Sequence, residues 1–299
     1  MRRELKKDDK IFAKSIEIRD VSQNITLLTE IRTNTSLENW TNELLSQGKF
    51  AFSLKVLRNT FPNQSDAANK SALKRLSDKG NIISVHKGYY LIIPPQYKAK
   101  GILPPSLYLD AFMEELKRPY YLALLNAAAN HGAAHQQPQE FYVVTNFPAL
   151  RPTYKKGLKV NYFSKKELPE KLLDIKKTET GYLRISNPVL TAIDLIQYSK
   201  RVGGINRVAT VLSELREVIK PEAFDSYLIQ NTPVTALQRL GYLLDIVFDD
   251  RVLANALYTA IQNNNVVFFR TPLRASATKG FPADEKWKVI INTAIELDE

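Results

Sequence analysis

Apolar residues recur at helical spacing over Leu37, Trp40, Leu44 and Leu45, and Gly48 ends the run. Ser53 is placed to cap a second, short helix whose apolar face is Leu54, Leu57 and Phe61. Pro62, Asn63, Gln64 and Ser65 are turn residues. They lead into a third helix that reaches Lys79 and stops at Gly80. On a 3.6-residue wheel Ala68, Asn69, Ala72, Leu73 and Leu76 share a packing side; Ala67, Lys70, Ser71 and Lys74 oppose it, with Arg75 on the flank. Two apolar runs, 81–85 and 89–93, flank His86, Lys87 and Gly88 and predict a two-strand hairpin. Helix, turn, helix and hairpin in this order predict a winged helix-turn-helix. Pro94-Pro95 and Pro104-Pro105 then mark a stiff connector.

Beyond the connector the pattern is mixed. Helices are predicted over 107–117 and 120–130, the second opened by Pro119 and stopped by Gly132. Strands are predicted over 141–144 and 158–163. Asn187-Pro188 starts a helix to about residue 200, ended by Gly203-Gly204, and Thr232-Pro233 repeats that start for a helix containing Arg239, Leu240, Tyr242 and Leu243. A further helix covers about 251–262, and strands return at 266–269 and 287–291. Strands first and helices later predict an α+β fold, not a doubly wound sheet. The predicted organisation is an arm over 1–35, helical or disordered, whose apolar cluster is Ile25, Leu27, Leu28 and Ile31. A winged helix follows over 36–95, a connector over 96–106 and an α+β domain over 107–299.

Charge sharpens this picture. The chain carries a formal net charge of +11 over 299 residues. Residues 49–87 hold eight Lys/Arg against two Asp/Glu, and residues 151–177 hold nine against three, so the remainder is nearly neutral. The first basic segment coincides with the predicted winged helix, which makes double-stranded DNA the expected partner. Lys70, Ser71, Lys74 and Arg75 face a groove in this reading. Gln64 and Ser65 meet base edges or a phosphate at the helix start, and His86 and Lys87 lie along the adjacent backbone or minor groove. The second segment is either a polyanion-binding surface or a solvated face. The absence of Cys rules out disulfides and cysteine zinc sites and fits a reducing cytosol. The charged start lacks the apolar stretch of a signal peptide, and no apolar run approaches the roughly 20 residues that span a bilayer, so a cytoplasmic protein is expected.

Catalytic patterns are sparse. The chain has no phosphate-binding glycine loop, no G-x-S-x-G elbow and no cysteine nucleophile. His131 and His135 stand four apart, but Gly132 between them breaks a helix, so a capping or core role is expected instead of a metal site. Asp249-Asp250 and Asp284-Glu285-Lys286 are the best carboxylate clusters, the latter in an acid-x-Lys arrangement that a metal-dependent nuclease can use. No upstream acid accompanies it. The expectation is a protein without enzymatic activity or cofactor.

Several motifs, in order, resemble the AbiEi-type antitoxins of type IV toxin–antitoxin systems over residues 36–299. Residues 48–53 resemble the start of that family's winged helix, 72–76 with Lys79-Gly80 the end of its recognition helix, and 86–90 with 93–95 the wing and its exit. Residues 118–127, then His131-Gly132, Gln137-Pro138 and 142–145, resemble the start of the antitoxin domain; 187–195 and 239–244 resemble its later helices. The resemblance implies repression of the protein's own operon by binding promoter repeats. It also implies neutralisation of a nucleotidyltransferase-like toxin without a stable complex, and a part in phage defence. It suggests Tyr120, Tyr121, Asp194 and Arg239 as antitoxin-domain candidates, with Arg151, Lys155 and Lys156 from the second basic segment. The alternative is a stand-alone winged-helix regulator with a sensing or protein-binding C-terminal domain.

Overall fold

The computed structural model describes residues 36–133 and 138–297. The arm expected over 1–35, together with His135 and Gln137, lies outside the described residues. The chain divides into two compact units, one ending at Gly101 and the other beginning at Ile102.

In the first unit three serines open three helices by the same device. Ser36, Ser53 and Ser65 each accept a hydrogen bond from the backbone N–H three residues on, at 3.2 Å, and so satisfy one of the donors that a helix start leaves orphaned. The helices are α1 (Leu37–Ser46), α2 (Leu54–Thr60) and α3 (Asp66–Asp78). A three-stranded antiparallel sheet accompanies them, with β1 (Ala51–Ser53) and β2 (Ile82–His86) on either side of β3 (Tyr89–Ile92). β1 is too short to show a period; only its pairing to β3 reveals it. The core centres on Trp40, whose ring meets Phe52 and Phe61 edge-on at 5.0 and 5.7 Å, with Leu57, Leu73 and Leu76 around it. Asn69 and Leu73 are buried as the wheel predicts, but Ala68 is exposed, because it lies in the first turn of α3 before the helix meets the core.

The second unit is built on a mixed six-stranded sheet. Its strands are β4 (Tyr120–Leu122), β5 (Glu140–Asn146), β6 (Thr153–Lys155), β7 (Leu158–Lys165), β8 (Leu173–Thr178) and β9 (Gly181–Ser186), in the order β6-β7-β5-β4-β9-β8. The pairs β5–β7 and β4–β9 are parallel and the others antiparallel. Helices α4 (Leu109–Glu115) and α5 (Leu124–Asn130) flank β4. After β9 come α6 (Pro188–Gln197), α7 (Ile205–Leu215), α8 (Ser226–Asn231), α9 (Val234–Tyr242), a π-helical turn (Leu243–Val247) and α10 (Arg251–Asn263). A short parallel pair, β10 (Thr271–Pro272) with β11 (Val289–Ile290), follows. The mixed sheet and clustered helices agree with the α+β class.

Four local expectations are corrected. Residues 120–130 are not one helix: Tyr120, Tyr121 and Leu122 form a strand held between β5 and β9, and the helix starts only at Leu124. Residues 266–269 are irregular instead of a strand, and the returning strand at 287–291 is only Val289–Ile290. Thr232 does not cap α9; its hydroxyl donates back to Leu228 O at 2.7 Å, and Pro233 takes the cap position without a side-chain bond. Strands β6, β8 and β9 and helix α7 have no clear sequence signature, because charged residues interrupt the alternation of the strands and no side-chain cap precedes α7.

Candidate functional site

The exposed face of α3 is the first candidate. Lys70 and Lys74 lie four residues apart, as do Ser71 and Arg75, so two rows of polar ends run along the helix and all four are exposed. The start of the helix is tied down. Arg58 of α2 meets Asp66 with two hydrogen bonds of 3.0 Å, an exposed link between α2 and the start of α3. Gln64 and Ser65 are exposed at this end, and the Ser65 oxygen is already engaged as the cap. Asp66 puts a carboxylate where a phosphate was expected, so the cationic surface lies further along the helix. At the other end Lys79 meets Glu38 of α1 at 2.9 Å.

The β2–β3 hairpin is equally anchored. His86 is the last residue of β2 and pairs with Tyr89, leaving Lys87 and Gly88 as the turn. Gly88 has a φ of +75°, and its carbonyl accepts the N–H of Leu54 at 2.7 Å, so the tip rests on the start of α2 with His86 and Lys87 exposed.

In the second unit the structure brings two expected residues together and separates two others. Tyr121 on β4 donates its hydroxyl to Asp194 Oδ2 on α6 at 2.8 Å, and Lys165 from the end of β7 reaches Asp194 Oδ1 at 2.7 Å. Asp194 is 0% exposed and the Lys165 side chain 15%. The Lys165 ammonium also lies 5.6 Å from the Tyr121 ring centre. Burial, then the Asp194 charge, raises the Tyr121 hydroxyl well above its ordinary range, so it is a neutral donor; the same two causes push Tyr198 up to about 12. Neither Tyr121 nor Asp194 has surface to offer a partner. Tyr120 instead donates to Asp110 Oδ1 at 2.8 Å, and its hydroxyl is raised by burial first and the Asp110 bond second.

Tyr121, Lys165, Asp194 and Tyr198 lie within a segment that matches a known family, and Tyr120 and Asp110 precede it. Residues 121–246 match the AbiEi antitoxin C-terminal domain family. The match covers less than half of the chain, and over that stretch the chain is similar to the family. The fold as a whole is similar to the crystal structure of the RV2827C protein from Mycobacterium tuberculosis, with a TM-score of 0.60 at 17% identity, covering 84% of this chain and 89% of that one. No curated protein matches the chain.

The matched segment starts at Tyr121 and closes one residue after Asp245, whose carboxylate fastens the following segment to it. Asp245 Oδ2 accepts from Lys286 Nζ at 2.7 Å and from Trp287 Nε1 at 2.9 Å. Gln238 Nε2 donates to the carbonyls of Phe269 and Trp287 at 2.8 and 2.7 Å, and Arg239 Nε donates to Pro272 O at 2.8 Å. Arg239 is therefore a clip inside the unit, bonded to Pro272 and Thr271 and not to the Tyr121–Asp194 pair. A side chain at Gly241 would run into the Trp287 ring, which explains the glycine of the 239–244 motif.

The carboxylate clusters have structural partners. Asp284 accepts the Trp287 N–H at 2.6 Å, Asp249 pairs with Arg251 at 2.7 Å, and Asp250 caps α10 while meeting Arg216 at 3.3 Å. His131 Nε2 lies 2.7 Å from Ser186 O. Among the described residues no three His, Cys, Asp or Glu side chains are grouped to hold a metal. No helix among them is long and apolar enough to cross a membrane.

The second basic segment is divided by the fold. Arg151, Lys155 and Lys156 are exposed at the β6 edge, Lys156 with Gly157 forming the β6–β7 turn. Lys159 pairs with Glu140, and Lys165 is the internal partner of Asp194. In the sequence Lys165 reads only as surface basicity. Asp245, Trp287 and Gln238 carry no sequence signal beyond being polar or aromatic in a helical or strand-like run.

Proposed function

We propose that this protein is the DNA-binding antitoxin of a type IV toxin–antitoxin system, acting in the cytoplasm. In this reading the first unit is a winged helix-turn-helix, α3 is its reading helix and the β2–β3 hairpin its wing. Lys70, Ser71, Lys74 and Arg75 contact the promoter repeats of the protein's own operon, with Gln64 and Ser65 at the start of α3 and His86 and Lys87 on the hairpin beside them. The second unit counters a nucleotidyltransferase-like toxin, and Arg151, Lys155 and Lys156 are its surface candidates. The match of residues 121–246 to the AbiEi antitoxin domain carries the reading. The exposed cationic rows on an anchored helix support the DNA-binding half.

The test has two arms. In a gel shift on the protein's own upstream DNA, Lys70→Ala/Lys74→Ala should bind at least about ten-fold more weakly, with a salt slope reduced by roughly one for each phosphate that is no longer neutralised. In cells expressing the toxin, the same variant should still rescue growth. Unchanged DNA affinity removes α3 as the reader. Intact DNA binding without rescue by the wild-type chain converts the protein into a stand-alone regulator.

A further inference from the structure

The β8–β9 hairpin carries a surface that the reading above does not use. In an antiparallel pair, directly opposite residues share a face and alternate residues along each strand return to it. Ile175 lies opposite Arg184, and Lys177 opposite Tyr182. The four make a two-by-two checkerboard, with Ile175 and Tyr182 on one diagonal and Lys177 and Arg184 on the other. All four are exposed, Ile175 to 71% and Tyr182 to 60%. The opposite side of β9 is spent on the interior through Leu183 and Ile185. β9 pairs with β4 on its other edge, at Leu122 and Ile185.

Lysines are expected on an edge strand as a guard against strand addition. A large aromatic ring and an isoleucine left in water between two cations are not explained by that role. A ring has a flat face for an unstacked base. Cations on its two nearest neighbour positions, one across the ladder and one two residues along the strand, suit the phosphates on either side of that base. Duplex DNA hides its base faces and presents only phosphates, so it gains nothing from Tyr182 or Ile175.

We infer that the outer face of the β8–β9 hairpin binds single-stranded nucleic acid, with Tyr182 and Ile175 as the stacking platform and Lys177 and Arg184 as the phosphate contacts. This site is separate from α3 and does not depend on the DNA-binding reading.

Fluorescence anisotropy of the full chain with labelled 12-residue oligouridine and oligothymidine tests it, with a 12-base-pair duplex alongside, all in the Lys70→Ala/Lys74→Ala background. Tyr182→Ala should weaken single-strand binding by about ten-fold or more, the scale of removing one base stack, whereas Tyr182→Phe retains it. Lys177→Gln/Arg184→Gln should weaken binding and lower its salt dependence. Tighter binding of either oligonucleotide than of the duplex is expected. Equal affinity of Tyr182→Ala and Tyr182→Phe, equal competition by polyglutamate, or no binding of either oligonucleotide at low salt overturns the inference.

Discussion

At the scale of single residues, Gly241 and Asp245 show what the last part of the chain requires. A Cβ at position 241 has nowhere to go, because the Trp287 ring is itself wedged between Tyr258, edge-on at 5.4 Å, and Phe268, stacked at 6.1 Å. Gly241→Ala should therefore destabilise the protein by about 1–3 kcal/mol, seen as a lower denaturant midpoint at unchanged slope. Asp245 makes a pH prediction. Burial alone raises its carboxyl, but the hydrogen bonds from Lys286 and Trp287 and the charges of Lys286 and Arg251 outweigh that and hold it below its ordinary value. A depressed carboxylate stabilises the fold above its unfolded value, about 3.9, and the contribution disappears as pH falls through the lower folded value. Thermal melts of Asp245→Asn should thus lie below wild type at pH 7, with the gap narrowing below about pH 4. A constant gap across that range would remove the charge as the source of stability.

At the scale of elements, the Tyr121–Asp194–Lys165 cluster ties β4, β7 and α6 together across the strand β5 that separates β4 from β7. Removing one partner strands a charge inside the unit, whereas replacing both can be nearly neutral. Lys165→Met should cost about 3–5 kcal/mol, and Lys165→Met/Asp194→Leu should recover much of it; urea denaturation of both variants checks this. A loss in the double variant equal to that in the single one would mean packing, not the stranded Asp194 charge, was being measured. The cap at Ser53 is legible in the sequence because it acts on an N–H only three residues away; Ser65 reads as a turn residue and DNA contact, and the structure makes it, like Ser36, a cap. Strand β4 is not: Tyr120, Tyr121 and Leu122 fit a helical face as well as a strand, and only the neighbouring β5 and β9 decide between them.

At the scale of the whole molecule, the chain forms two units with separate cores, which is compatible with the two tasks proposed above. The motifs of the AbiEi domain are visible as an ordered series, and the match over 121–246 agrees with that series. Their roles are less visible. The resemblance suggests Tyr121, Asp194 and Arg239 as candidates, yet each is engaged inside the unit, two with each other and Arg239 with the chain near Pro272. Sequence alone determined the three helical runs of the first unit with the Ser53 cap and the Gly48 and Gly80 stops, the cationic side of α3, the hairpin about His86, Lys87 and Gly88, and the family resemblance. All but the last rest on interactions within one or two turns of chain. Tertiary structure alone decided the order of the six strands, the division of the second basic segment into edge, ion pair and interior, and the checkerboard of β8 and β9. Each of these depends on which distant segment pairs with which. That choice is set by burying many apolar faces at once against the entropy of closing long loops, and no local pattern records it.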